Sequence, residues 1–230
     1  MKTKKIPNHI SITIDGNRRW AKNKGLSTLI GHTKGIMNVK KICLYAQKLG
    51  IKIVTIYAFS TENWKRSEKE VKNLMMLFEK FLDKNTKKLH KKEIQIRHIG
   101  DLQKLPISLQ KKIKSAINTT KHNGKMIIQI ALNYGGRDDI KRAIQKIIKQ
   151  KIKETEITEN LISKNLDTGE LPDPDLMIRT SGEKRLSGFL LWQSSYAELY
   201  FPKVHWPDFD EKELDKAILE YNKRQRRLGK

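Results

Sequence analysis

Four short stretches of this chain concentrate side chains that bind anions or handle protons. They are Asp15-Gly16-Asn17-Arg18-Arg19-Trp20, Ser60-Thr61-Glu62-Asn63-Trp64-Lys65-Arg66, Asn133-Tyr134-Gly135-Gly136-Arg137 and Arg179-Thr180-Ser181-Gly182-Glu183. Of the 11 arginines, Arg19, Arg66, Arg137, Arg179 and Arg185 fall in or beside these stretches, whereas lysines spread along the whole chain. A guanidinium fork grips phosphate oxygens two at a time, which an ammonium cannot copy. Gly16 and Asn17, at a basic helix start, would offer backbone N–H groups to an anion. Asp15 on the same loop suits Mg²⁺, which takes one or two carboxylates and completes its shell with substrate phosphate oxygens and water. These residue types ask for a phosphorylated or diphosphorylated substrate with Mg²⁺. Neither a Gly-x-x-x-x-Gly-Lys-Ser/Thr loop nor a Gly-x-Gly-x-x-Gly fingerprint occurs, so the common nucleotide sites are not indicated.

Such clusters need a scaffold, and the apolar pattern supplies one. Short β-branched runs at His9–Ile14, Ile51–Phe59, Ile94–Ile99, Lys125–Leu132 and Leu176–Ile178 predict strands, several of them apolar on both faces as buried parallel strands are. Helical patterns lie between and after them, over Gly31–Leu49, Ser67–His90, Pro106–His122, Arg137–Lys153 and Asp210–Leu228. Val71, Leu74, Met75, Phe78, Phe81 and Leu82 share one helical face, and Ser67 with Glu70 reads as a capping box at its start. Alternation of this kind predicts one α/β domain over residues 1–230, with a largely parallel central sheet flanked by helices. All four polar stretches then follow strands, at the edge where open α/β sheets bind ligands. The segment Glu154–Pro174 reads as a polar excursion on the surface.

Composition narrows the class. The chain has 230 residues and carries 48 Lys+Arg against 25 Asp+Glu, a net +23. A domain of this size needs no covalent staples for its core. Its one cysteine, Cys43, excludes a disulfide framework and Cys-rich zinc motifs. No apolar run reaches the roughly 20 residues of a membrane span, and Met1–Pro7 does not read as a signal peptide, so a cytoplasmic protein is expected. The lysines alternate with apolar residues at helical spacing, as outer helix faces do, and no aromatic-rich basic stretch is present. Dedicated nucleic-acid binding is therefore not expected. Attraction to anionic lipid and to a phosphorylated substrate is.

The ordered set of motifs resembles the cis-prenyltransferases, the undecaprenyl diphosphate synthase family. It comprises His9–Ala21, Gly31-His32, Tyr57–Trp64, Asn133–Arg137, Ile178–Glu183, Phe189–Gln193, Tyr196–Phe201 and Trp206–Phe209, and runs from about His9 to Gly229. The resemblance implies a homodimer with a hydrophobic tunnel, peripheral to the inner face of the membrane. It would condense an allylic diphosphate such as farnesyl diphosphate with successive isopentenyl diphosphates in cis, giving a long polyprenyl diphosphate as carrier lipid for cell-wall glycans. A shorter-chain synthase with the same site is the alternative.

By position, Asp15 would hold Mg²⁺ and, with Asn63, form the catalytic pair. Gly16, Asn17, Arg18 and Arg19 would cradle the allylic diphosphate beside His32, while Arg179, Arg185 and Ser187 match the isopentenyl diphosphate clamp. Glu198 matches a second acidic Mg²⁺ position. Ser60, Thr61, Glu62, Trp64 and Arg66 would form the closing loop, with Trp20 and Lys24 completing the substrate-binding set. The base that takes the proton is left between Asp15, Asn17 and Ser60 as a group and the departing diphosphate. The Leu74–Leu82 face, with Ala58 and Met126, is the expected tunnel lining, and Arg226–Gly229 the segment reaching a partner's site. Thr28, Lys184, Ser67 and Gly188 stand where the family commonly has Arg, His or Gln, Pro and Asn. The first two are expected to weaken substrate and metal grip, the last two to loosen loops. Taken alone, Asp15-Gly16-Asn17 reads as a tight turn, Trp64 and Trp192 as packing, and Asn133–Gly136 as a turn using glycine freedom.

Overall fold

A computed structural model describes residues 5–224, so the Arg226–Gly229 segment lies outside the described residues. Six parallel strands form one sheet in the order β3-β4-β2-β1-β5-β6. They are β1 (His9–Thr13), β2 (Ile53–Ser60), β3 (Ile94–Ile99), β4 (Met126–Tyr134), β5 (Leu176–Arg179) and β6 (Glu198–Tyr200). Seven helices connect and cover them: α1 (Asn17–Asn23), α2 (Thr28–Lys48), α3 (Glu68–His90), α4 (Ile107–Thr120), α5 (Gly136–Lys149), α6 (Glu159–Asn165) and α7 (Glu211–Lys223). The five predicted strands and five predicted helices are all present, with ends shifted by a few residues. The sheet is wholly rather than largely parallel.

Three elements escaped the sequence pattern. α1 is seven mostly polar residues, and α6 forms inside the supposed polar excursion, where the Thr158 side chain accepts from Leu161 N at 3.2 Å. β6 is three residues long and exists only through its pairing with β5.

The main core lies on one face, where Ile10, Ile12, Ile56 and Ile128 meet apolar residues of α2, α3, α4 and α7. Successive strand residues point to opposite faces, so Tyr57, Ala131 and Met177 belong to a smaller cluster on the other side with Tyr134, Phe189 and Leu190. Tyr57 stacks on Phe189 at 4.5 Å. This second face is not purely apolar, contrary to the reading of two-sided strands. His9 Nδ1 donates to the Pro172 carbonyl at 2.7 Å, leaving Nε2 to accept from the Thr55 hydroxyl at 2.8 Å, and Thr55 in turn accepts from Gln129 at 3.2 Å. Burial holds the His9 pKa below its ordinary value, consistent with this neutral tautomer. Cys43 is buried, its pKa pushed up to about 12, and is chemically inert.

From β1 the chain runs outward through β2 on one side, then returns to place β5 on β1's other side. Strand order therefore reverses at β1, and ligands in open α/β sheets bind beyond the strand ends at that switch point. Asp15 lies two residues past the end of β1.

Candidate active site

Thr13 pairs with Tyr57 on one side and Arg179 on the other, so β1 and β5 end level while β2 runs three residues further, to Ser60. Beyond them Gly16 takes φ 102°, a left-handed conformation that disfavours side chains. A Cβ there would sit 2.0 Å from Ser181 Oγ, so no other residue fits. The turn is held firmly, because the Asp15 carbonyl accepts from Thr180 Oγ1 at 2.7 Å, Ser181 Oγ at 2.9 Å and Trp206 N at 3.0 Å. His205 Nδ1 lies 2.8 Å from the same Ser181 hydroxyl. Thr180, Ser181 and His205 are thus positioning residues whose role only the folded chain reveals.

The Asp15 carboxylate sits between two arginines, with Arg179 Nη2 at 3.0 Å and Arg19 Nη2 at 3.1 Å. Burial pushes its pKa up, but the hydrogen bond and charge of Arg179, with those of Arg19, outweigh burial and hold it below the usual value. Arg179 is itself buried and donates through Nη1 to the Arg185 carbonyl and to Ser187 Oγ, each at 2.7 Å. The Arg185 carbonyl thus helps to orient Arg179, while its side chain pairs with Glu183 at 2.6 Å. Glu183 also binds Arg19 at 2.6 Å.

Across the site, His32 on α2 is buried and donates from Nε2 to Glu70 Oε1 at 3.1 Å. Its pKa is lowered by burial, partly offset by Glu70. Arg66 reaches the same Glu70 oxygen at 3.2 Å, and Arg18 lies 3.9 Å from the other. Glu70 does not close the expected capping box. Ser67 caps α3 by accepting from Glu70 N at 3.4 Å, but the Glu70 carboxylate turns into the site instead of back to the cap. A real capping box forms one turn earlier, where Ser60 N donates to Asn63 Oδ1 at 3.2 Å. Asn63 faces the cavity with that oxygen already committed.

Between the two sides lies a cavity of about 680 Å³. Of the expected site residues, Asp15, Gly16, Asn17, Arg18, Arg19, His32, Ser60, Glu62, Asn63, Arg66, Arg179 and Ser187 all contribute to its wall. Arg179 Nε is buried there without a hydrogen-bond partner among the described residues, a costly arrangement that an anionic ligand would relieve, while Asn17 Oδ1, also unpartnered, packs against Gly35. An apolar cavity of about 40 Å³ adjoins it, sharing Ile14, Ile36, Ala58 and Phe78. Phe81 and Leu82 line this second space as expected for the tunnel, but Met126 does not and belongs to the packed core.

Several expected site residues are placed elsewhere. Lys24 lies over the Trp20 ring at 4.7 Å and 3.9 Å from Asp208, outside the cavity wall. Trp20 is buried as packing. Thr61 abuts Gly135, where a Cβ would meet its hydroxyl at 2.6 Å. Gly135 is needed for that close approach rather than for backbone freedom, since its φ is extended and Asn133 takes the positive φ instead. Trp64 donates from Nε1 to Asn133 Oδ1 at 2.7 Å and packs edge-on against Phe59, tying the loop to β4. Ser67 and Gly188 do not loosen their loops: Ser67 is the α3 cap, and the Gly188 carbonyl accepts from Gly136 N at 2.6 Å.

Glu198 is the sharpest correction. It pairs with Leu176 at the start of β5, whereas Asp15 lies beyond Thr13, which pairs with Arg179 at the end of β5. That separation is about five residues, roughly 16 Å along the strands, so the two carboxylates of one chain cannot share an ion. Glu198 instead pairs with Arg224 at 2.7 Å. Among the described residues no cluster of three or more His, Cys, Asp or Glu could hold a metal. The donor set still fits Mg²⁺, because a single ionised carboxylate in an anion-binding cavity leaves the remaining positions to substrate oxygens and water.

Residues 13–229 match the family described as "Putative undecaprenyl diphosphate synthase". The chain belongs to this family of cis-prenyltransferases. Curated relatives include an isoprenyl transferase of Streptococcus thermophilus, 48% identical over 97% of this chain and 93% of the relative. Another is the ditrans,polycis-undecaprenyl-diphosphate synthase ((2E,6E)-farnesyl-diphosphate specific) of Haemophilus influenzae, 46% identical over 97% of this chain and 95% of that one. Among solved structures, lavandulyl diphosphate synthase from Lavandula x intermedia, in complex with dimethylallyl diphosphate, superposes with a TM-score of 0.95 at 40% identity, covering 98% of this chain and 99% of that chain. A probable undecaprenyl diphosphate synthase from Campylobacter jejuni gives 0.83 at 34% identity, covering 97% and 99%. As a cis-prenyltransferase the chain is an enzyme, and three of its four polar stretches contribute to the cavity wall, while Asn133–Gly136 holds the neighbouring loop.

Proposed function

We propose that this enzyme condenses farnesyl diphosphate with successive isopentenyl diphosphates, in the presence of Mg²⁺, to give undecaprenyl diphosphate. The observation that carries the reading is the ionised Asp15 carboxylate, held between Arg19 and Arg179 in a cavity that continues into apolar space. Arg18, Arg19 and the first N–H groups of α1 bind the allylic diphosphate, and Arg179 with Ser187 binds that of isopentenyl diphosphate. Asp15 would hold Mg²⁺ together with diphosphate oxygens, and the bound ion would supply charge neutralisation for the leaving group.

Cleavage of the allylic C1–O bond sends its electron pair to the departing diphosphate, whose growing charge the arginines offset. The isopentenyl double bond forms the new bond to C1, and a proton then leaves C2. A carboxylate with a depressed pKa is a weak base, so Asp15 serves charge and metal, and the departing diphosphate is the better proton acceptor. The growing chain is kept from water along the face of Leu74, Phe78, Phe81 and Leu82.

We also assign the functional unit as a homodimer that meets anionic membrane through its basic surface and its lipid product, acting at the cytoplasmic face in cell-wall glycan synthesis. No helix among the described residues is long and apolar enough to cross a membrane, which suits surface contact. Light scattering of the purified protein, and sedimentation with anionic against neutral vesicles, check these two assignments.

One observation favours a shorter product. The apolar cavity holds about 40 Å³, against about 300–1,000 Å³ for ordinary ligand pockets. Incubating the enzyme with farnesyl diphosphate, isopentenyl diphosphate and Mg²⁺, and reading extracted product mass against an EDTA control, decides between them. A product near C55 that EDTA abolishes supports the main reading, and a C15–C20 product supports the second. No product with or without Mg²⁺ sinks both.

A further inference from the structure

The Glu70 carboxylate is poorly placed for an enzyme that collects diphosphates. It lies against Arg18, His32 and Arg66, all of which line the anion cavity, and its side chain is only 13% exposed. A permanent anion there competes with substrate phosphate for the same donors. The local sequence does not require it to be there, since Ser67 already caps α3 and a reciprocal bond to the cap was open to Glu70. The donors it gathers come from three elements: Arg18 from α1, His32 from α2, and Arg66 from the loop ahead of α3. Arg18 is 62% exposed, and its side chain reaches Glu70 at 3.9 Å. We propose that Glu70 is an internal stand-in for the diphosphate: it holds Arg18, His32 and Arg66 together in the empty site, releases them to an incoming diphosphate, and takes them back as pyrophosphate leaves. Glu70 is then a positioning residue that sets the balance between capture and release, and this rests on the reading of the site as a diphosphate-binding one.

The charge, rather than the shape, of Glu70 makes the competition. Glu70→Gln is nearly isosteric, and its amide oxygen can still accept from Arg66 or His32, so the donors stay organised while the competing charge is removed. The test is calorimetric binding of inorganic pyrophosphate to the wild-type enzyme and to E70Q, in wild-type and Arg66→Ala backgrounds. The expected result is about tenfold tighter binding by E70Q, equivalent to about 1.4 kcal/mol, with most of that gain lost when Arg66 is absent. In steady state, E70Q should show a lower KM for the allylic diphosphate together with a lower kcat, because pyrophosphate leaves more slowly. A residue needed only for structure would raise KM and weaken binding. Equal or weaker pyrophosphate binding by folded E70Q overturns the proposal while leaving the diphosphate site intact. Failure of the wild-type enzyme to bind pyrophosphate overturns both. If E70Q does not fold, a structure of the wild-type enzyme with pyrophosphate decides: the proposal requires the Arg66–Glu70 pair to open, and an unbroken pair refutes it.

Discussion

The two ends of the anion cavity are built on different principles. At the β1–β5 end, Asp15 is fixed by three hydrogen bonds to its own carbonyl and Arg179 is packed to 7% side-chain exposure, its donors aimed at groups from strand ends and the following loop. At the α1–α3 end, Arg18 and Arg66 are 62% and 30% exposed and meet through a single carboxylate. A reacting centre must hold its geometry to within a fraction of an ångström, and sites built on strands do this best. Groups that capture a substrate and later release its pyrophosphate need freedom to exchange partners. The difference assigns chemistry to the first end and traffic to the second.

That contrast can be broken most directly at Asp15. Asp15→Ala should lower kcat by about 10²–10³-fold with an unchanged circular dichroism spectrum; near-normal turnover would remove chemistry from the strand end. Arg179→Ala should cost about 10–100-fold in kcat/KM, chiefly through the KM of isopentenyl diphosphate. An effect confined to the allylic substrate would mean the subsites are exchanged. Trp64→Phe keeps the contact with Phe59 but removes the hydrogen bond to Asn133, and should change kcat/KM by about three- to tenfold, a loss the same variant of a merely packed tryptophan would not show.

Acid stability offers a subtler test. Burial holds His9, His32 and His98 below the ordinary histidine pKa, so the unfolded chain binds protons that the folded chain refuses. Their neutral contribution to stability is complete above about pH 6.5 and is lost as pH falls through the lowered folded values. The melting temperature should therefore drop between about pH 7 and pH 5. Asp15, whose folded pKa is also depressed, adds a loss below about pH 4 that Asp15→Asn should remove. A flat profile from pH 7 to 5 would contradict the neutral burial of these histidines. The smallest effect belongs to Lys24→Ala, which should change the KM of farnesyl diphosphate by less than about twofold; a larger rise would return Lys24 to the cavity.

The parts of the molecule legible in the sequence were those with strong local signals. β3 and the Leu74–Leu82 face were readable because apolar spacing repeats the geometry of the element, and the four polar stretches because each directly follows a strand or the turn after one. α1, α6 and β6 carry no such signal. α1 stands on the Gly16 turn and its packing against α2, and β6 on its neighbour β5. Glu70 departs from expectation for a related reason: spacing from Ser67 predicts a local bond to the cap, but Arg66 one turn back, with Arg18 and His32 from other elements, draws the carboxylate away. Glu198 shows the limit of motif matching, because its position in a motif says nothing of which end of the sheet it occupies.

The sequence by itself determined the α/β class, the phosphate-binding chemistry, the family and twelve residues of the cavity wall. Those follow from side-chain type and short-range periodicity, which are properties of the chain before it folds. Tertiary structure alone decided that Asp15 and Glu198 of one chain lie apart, that the Arg185 carbonyl accepts from Arg179, and that Glu70 faces the arginines. Each depends on how strand ends, loops and helices are brought together, and that is set only when the strands align.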